Sequence, residues 1–167
     1  MSSGSSCLSC RKERKHGAQL FIKKANIDKW IRSYISSTFT RRKFFYHIEE
    51  KHLNKSSDYL KDRCKKKKGS ASTFIGYKDD VISLIVEALL EDADAISAYL
   101  ADDTDTEEYI VYGDLTPSVS GIVFQYHGHN WNQGPLKCSE FVVVITKLRN
   151  NENGFAIKTA HPIPPEM

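Results

Sequence analysis

The stretch Gly154-Phe155-Ala156-Ile157-Lys158-Thr159-Ala160-His161-Pro162-Ile163-Pro164-Pro165 alternates as a β-strand does. Phe155, Ile157, Thr159 and His161 fall on one predicted face, and Ala156, Lys158 and Ala160 on the other. The first face starts apolar and ends in a hydroxyl and an imidazole, just before prolines stop the strand. Such an ending fits a core strand that presents side chains to a cleft. It fits equally a frayed strand end with two solvated residues.

Upstream, Asn153-Gly154 supplies a hairpin turn back to a second alternating segment, 141–148. Tyr109–Tyr112 and Val119–Tyr126 also read as strands, and 130–135 is turn-rich. Before residue 109 the apolar period is helical. Ile27, Trp30, Ile31, Tyr34 and Ile35 follow an amphipathic spacing behind a candidate Asn26 cap. A second helix is predicted over 43–53, carrying Phe45, Ile48 and His52. Asn54-Lys55-Ser56-Ser57 interrupts it, and Ser57 is placed to cap a third helix with Leu60, Arg63 and Cys64. Gly69–Phe74 reads as a polar connection ending in a short extended piece. Val81, Ile82, Ile85, Val86, Leu89 and Leu90 form the strongest helical pattern, followed after a turn at 91–93 by a shorter helix with Ile96, Tyr99 and Leu100. Helices first and strands afterwards argue for an α+β domain with an antiparallel sheet. Residues 1–25, Ser-rich and then basic, read as a flexible tail or linker remnant, and 26–167 as one domain.

The net charge of +3 conceals a division. Residues 1–78 carry 20 Lys/Arg against 6 Asp/Glu, and residues 79–167 carry 4 against 15. A basic first half suits a polyanionic partner, most simply nucleic acid, unless the two halves pack together and neutralise each other. Lys61 and the run Lys65, Lys66, Lys67 and Lys68 are candidate contacts to an RNA backbone. No membrane span or signal peptide is expected. The four cysteines are too irregularly spaced for a disulfide framework and suggest reduced thiols.

Metal and nucleotide motifs are weak. Cys7-x-x-Cys10 with His16 nearby lacks a second close pair to complete a zinc site. His127-x-His129 would share a strand face, but no third ligand lies near. The acidic loop 102–108 lacks the central glycine and terminal glutamate of an EF-hand. No phosphate loop or nucleophile elbow is present. His47 and His52, five apart, are expected on different sides of a helix. The expectation is therefore no metal, no cofactor, and metal-free acid–base chemistry. On one continuous helix His52 and Arg63 would stand ~16 Å apart, whereas the break at 54–57 lets both turn toward one small group. With His161 they offer an acid, a base and a fixed cation, the set that RNA cleavage by its own 2′-hydroxyl requires.

His47-Ile48-Glu49-Glu50-Lys51-His52, Leu60, Arg63, Ala71-Ser72-Thr73-Phe74, the 82–100 helices and Lys158-Thr159-Ala160-His161-Pro162 occur in that order. Together they resemble the bacterial ribonuclease A-like toxin domains at the C-termini of contact-dependent growth inhibition and related polymorphic toxin proteins. The likeness covers about residues 42–165. It implies helices packed on a curved antiparallel sheet, with a cleft holding a histidine, an arginine eleven residues later, and a C-terminal Thr and Tyr. His52, Arg63 and Thr159 match the first three. At the fourth position this chain has His161 where the family usually has tyrosine, an arrangement more like pancreatic ribonuclease A.

The resemblance further implies an endoribonuclease toxin delivered as part of a larger secreted protein. It would act in the cytoplasm of a target bacterium on tRNA or general cellular RNA, and a cognate immunity protein would neutralise it. The reading is a monomeric, metal-independent enzyme with His52 and His161 as acid and base in either order, Arg63 stabilising the transition state, and Thr159 positioning the phosphate or His161. The alternatives are a non-catalytic basic domain binding nucleic acid or an acidic partner, and a toxin ribonuclease of another small helix-plus-sheet fold.

Overall fold

The computed structural model describes residue 29 and residues 38–102, 108–127, 130–131, 135–147 and 155–165. The expected tail over 1–25, the Asn26 helix, the acidic loop and the Asn153-Gly154 turn lie outside the described residues, apart from single flanking positions. Among the described residues four helices precede most of the strands: α1 (Thr38–His52), α2 (Ser57–Lys67), α3 (Lys78–Glu91) and α4 (Ala93–Ala101). One strand, β1 (Ser70–Ile75), falls between α2 and α3. Then come β2 (Tyr109–Asp114), β3 (Ser120–His127), β4 (Asn130–Trp131), β5 (Leu136–Lys137), β6 (Glu140–Lys147) and β7 (Phe155–Ile163). The fold is α+β, as the order of periodicities predicts.

The strands divide into two antiparallel sheets rather than one. In the first, β1 pairs with β3, which also pairs with the short β4 and β5; in the second the order is β2-β6-β7. Residues 141–145 of β6 are all buried, as suits a strand flanked on both edges and covered on its faces. β1 corrects the reading of 69–74 as a polar connection. Ala71, Ser72, Thr73 and Phe74 are all buried, and small hydroxyl side chains fit there because α2 packs closely on this strand. Ser56, not Ser57, caps α2: its Oγ accepts from the Tyr59 N–H at 3.1 Å.

Two apolar clusters hold these layers. The larger joins α1, α3 and α4 to the β2-β6-β7 sheet through Phe45, Ile85, Leu89, Phe141, Ile145 and Phe155. The smaller seals α2 onto β1 and β3 with Leu60, Cys64, Ala71 and Phe124. Cys64 donates its thiol to the Phe124 carbonyl at 3.2 Å, and Cys64 and Cys138 are free thiols. Among the described residues no helix is long and apolar enough to cross a membrane.

β7 is the strand on which both sheets meet, since it pairs with β6 and lies against β1 and β3. It also carries the main departure from simple alternation. Val144 faces Thr159 while Ile145 faces Ile157, so Lys158 is an extra, unpaired residue: a β-bulge. The bulge shifts the phase by one. Phe155 and Ile157 before it, and Ala160 after it, enter the same core cluster. Thr159 and His161 therefore do not continue the Phe155–Ile157 face, contrary to the unbroken alternation expected from the sequence; they are turned to the opposite side. Lys158 itself is exposed and ion-paired with Glu108.

Close approach of the sheets depends on Gly121 of β3. A Cβ there would stand 2.6 Å from Cγ of Pro162, the residue after His161. Gly121→Ala is expected to lower stability by about 1–3 kcal/mol through overpacking. The reading is a lower urea midpoint at unchanged slope; an unaltered midpoint would mean that Pro162 gives way freely.

Candidate active site

The site is built where α1 ends. His52 is its last residue and is 4% exposed. Its Nδ1 lies 3.0 Å from the carbonyl oxygen of Ser72 in β1. A carbonyl can only accept, so Nδ1 carries the proton and the neutral ring keeps its lone pair on Nε2. The next residues continue the attachment to β1. Leu53 bridges to Phe74, the Asn54 N–H donates to the Phe74 carbonyl at 2.8 Å, and the Lys55 N–H donates to Thr73 Oγ1 at 2.9 Å. Asn54 takes the left-handed conformation, φ 49°, and its side-chain amide both donates to and accepts from the backbone of Gly76. This junction turns the chain sharply enough for α2 to return alongside.

Arg63 of α2 then reaches back, its guanidinium donating to the Lys51 carbonyl at 3.4 Å. It thereby answers one of the unpaired carbonyls at the C-terminus of α1, where a cation also suits the helix dipole. His161 arrives from β7. Its ring centroid is 5.2 Å from that of His52, with an interplanar angle of 33°. His161 Nδ1 lies 3.0 Å from the Pro162 carbonyl, which leaves Nε2 as its outward nitrogen. Thr159, two residues earlier on β7, has a buried Oγ1 with no hydrogen-bond partner among the described residues. Buried hydroxyls rarely stay unpaired, so this is a polar group left open toward something else.

His47 joins them, contrary to the helical projection. Its ring centroid lies 5.4 Å from that of His52. An idealised helix separates positions five apart by about 140°, but His52 ends α1, and its ring is drawn to the Ser72 carbonyl rather than following that projection. The His-x-x-x-x-His spacing is visible in the sequence; its convergence is not.

Electrostatics follow from packing bases and cations together. Burial, opposed by the Ser72 hydrogen bond and helped by His161, Arg63 and His47, lowers the His52 pKa to about 3. Burial likewise lowers His161, with Lys67 and Arg63 adding to the effect. His47 is lowered by burial and then by Arg63. Lys67 is lowered by burial and by Arg63. All of these shifts disfavour additional positive charge, and a bound anion would oppose the part that the neighbouring cations contribute.

The remaining lysines are spread along α2. Lys61 Nζ lies over the Phe124 ring, 5.4 Å from its centroid, and Lys66 pairs with Asp62 at 3.0 Å. Lys65 is exposed, and Lys68 takes the left-handed C-cap position. Lys67 is the member of the run whose charge bears on His161. Among the described residues no group of three His, Cys, Asp or Glu side chains could hold a metal ion; His129 lies outside them.

Residues 46–162 match the sequence profile of the bacterial CdiA-CT RNAse A domain, which spans both arms of the site. The chain belongs to that family. Its fold is similar to that of a solved chain in the CdiA-CT/CdiI complex from Y. kristensenii 33638, with a TM-score of 0.56 and 19% identity over 70% of this chain and 97% of that one. No curated protein matches the sequence. Membership makes this a ribonuclease toxin domain of the RNase A-like kind.

A consequence of the buried neutral histidine is acid lability. Between pH 6.5 and about 3 the unfolded chain binds a proton at His52 that the folded chain refuses, so stability falls as pH falls through that window. His47 and His161, also lowered, act in the same direction. Urea midpoints at pH 7, 5.5 and 4.5 are expected to decline more steeply for the parent than for His52→Asn; parallel declines would show that His52 is not held neutral.

Proposed function

We propose that the domain is a metal-independent endoribonuclease that cleaves RNA by 2′-hydroxyl transphosphorylation. The observation that carries this reading is the His52–His161 pair, 5.2 Å apart at their centroids, each with Nδ1 against a carbonyl. His52, the more buried ring, acts as the base: its Nε2 takes the 2′-hydroxyl proton as the 2′-oxygen attacks phosphorus. The P–O5′ bond breaks, and His161 gives the leaving 5′-oxygen its proton through Nε2. The products are a 2′,3′-cyclic phosphate and a 5′-hydroxyl. Arg63 balances the charge that grows on the non-bridging oxygens, and the Thr159 hydroxyl donates to one of them. Entry of a phosphodiester anion raises the histidines' readiness to be protonated, supplying His161 with the proton that it must deliver. Lys61, Lys65, Lys66, Lys67 and Lys68 track the flanking backbone, Lys67 nearest the reacting phosphate.

By the same reading the domain acts inside a target bacterium after delivery by a larger secreted protein. A cognate immunity protein holds it in check, a partnership supported by the likeness to a CdiA-CT chain that forms a complex with CdiI.

His52→Ala and His161→Ala are each expected to reduce cyclic-phosphate formation by ~10²–10⁴-fold, with the parent enzyme unaffected by EDTA; full cleavage by either variant would sink the assignment. The kcat/KM profile should reach its maximum below pH 6.5, because His52 is neutral down to about pH 3 while His161 loses its proton early. A profile whose basic limb lies above 6.5 would remove His161 from the acid role. Thr159→Val separates site from scaffold. It removes an unpaired buried hydroxyl, so stability should hold or rise by about 1 kcal/mol while kcat drops roughly tenfold. A stable variant with unchanged kcat would exclude Thr159 from the mechanism.

A further inference from the structure

His47 is unused by the two-histidine reaction, yet it is built into the same cluster. Its ring touches that of His52 at a centroid distance of 5.4 Å. His52 is thus the middle ring, with His161 on it at 5.2 Å and His47 at 5.4 Å. His47 is half-buried whereas His52 is nearly sealed, so of the two α1 histidines it is the one open to a ligand that follows the surface. We propose that His47 is a backbone subsite of the ribonuclease, its imidazolium holding a phosphate of the RNA adjacent to the one that is cleaved. This rests on the endoribonuclease reading and deepens it, because it makes a strand of several phosphates, rather than a dinucleotide, the preferred substrate.

The surroundings favour an anion. The charged and titratable groups bearing on His47 are Arg63 of α2, Lys51 and Glu50 of α1, and His161 of β7, with the His52 ring in contact. Arg63, Lys51 and His161 oppose a proton on His47; Glu50 favours one but is itself paired with Lys51 at 3.7 Å. In the empty site burial first, and these cations after it, hold His47 below its ordinary pKa. A phosphate monoanion set against it satisfies the imidazolium and relieves the repulsion from Arg63. Contact with RNA at this position is consequently proton-linked: it strengthens on acidification and fades above neutrality. A neutral histidine merely filling space beside His52 would show no such linkage.

The test uses the full chain and a single-stranded 2′-deoxy oligonucleotide, which keeps the phosphates and lacks the attacking hydroxyl, so that binding is read without cleavage. Dissociation constants are measured against salt at pH 5 and pH 8 for the parent, His47→Gln and His47→Lys. Each neutralised phosphate contributes about 0.7 to the slope of log K against log salt for a single strand. His47→Gln is expected to lose about that much slope at pH 5 and nothing at pH 8. His47→Lys, charged at both, should exceed the His47→Gln slope at pH 8 by about the same amount. Equal slopes for the parent and His47→Gln at pH 5, or a His47→Lys slope at pH 8 no steeper than that of His47→Gln, would overturn the subsite. Should the parent bind the oligonucleotide with these slopes yet leave the matching RNA intact, the subsite stands and the cleavage reading fails.

Discussion

Everything at the site depends on how the chain crosses from α1 to α2. Four consecutive residues attach to β1 or its end: His52 to the Ser72 carbonyl, Leu53 and Asn54 to Phe74, and Lys55 to Thr73. Asn54 makes the turn possible by accepting the left-handed conformation, and its amide clamps both polar groups of the Gly76 backbone. With the junction held, Ser56 caps α2, and α2 runs back so that Arg63 meets the end of α1. Removing this crossing would separate His52 from Arg63.

Against that rigid arm stands β7, the strand shared between the two layers. Its bulge at Lys158 lets Phe155, Ile157 and Ala160 serve one core while Thr159 and His161 face away from it. Gly121 lets Pro162 come close enough to fix the strand beside β3. A bulge of this kind re-aims side chains without lengthening a loop. The site thus combines two arms far apart in sequence, each held by backbone hydrogen bonds rather than by side-chain packing alone.

The empty site is electrostatically unfavourable by construction. Three imidazoles, a guanidinium and an ammonium bear on one another, and burial depresses the bases among them. Such an assembly costs folding stability on acidification and regains it when an anion enters. Histidine at 161, where the resemblance implies tyrosine, matters for the same reason. An imidazole can exchange its proton within the working pH range, whereas a phenol near pKa 10 serves mainly as a hydrogen-bond donor.

The sequence by itself determined the fold class, the helical faces of 45–52 and 81–100, the strands β2, β3, β6 and β7, and the break that lets Arg63 return to the end of α1. These were legible because apolar periodicity and local turn chemistry act over a few residues. Tertiary structure alone decided the rest. The split into two sheets, the hydroxyl-rich β1 between two helices, and the cap at Ser56 rather than Ser57 each depend on what packs alongside. The bulge that reverses Thr159 and His161 is invisible in a single strand, because it exists only as a register mismatch with β6. His47 joined the site for a related reason: helical projection placed it away from His52, and a carbonyl on β1 drew the His52 ring to it instead.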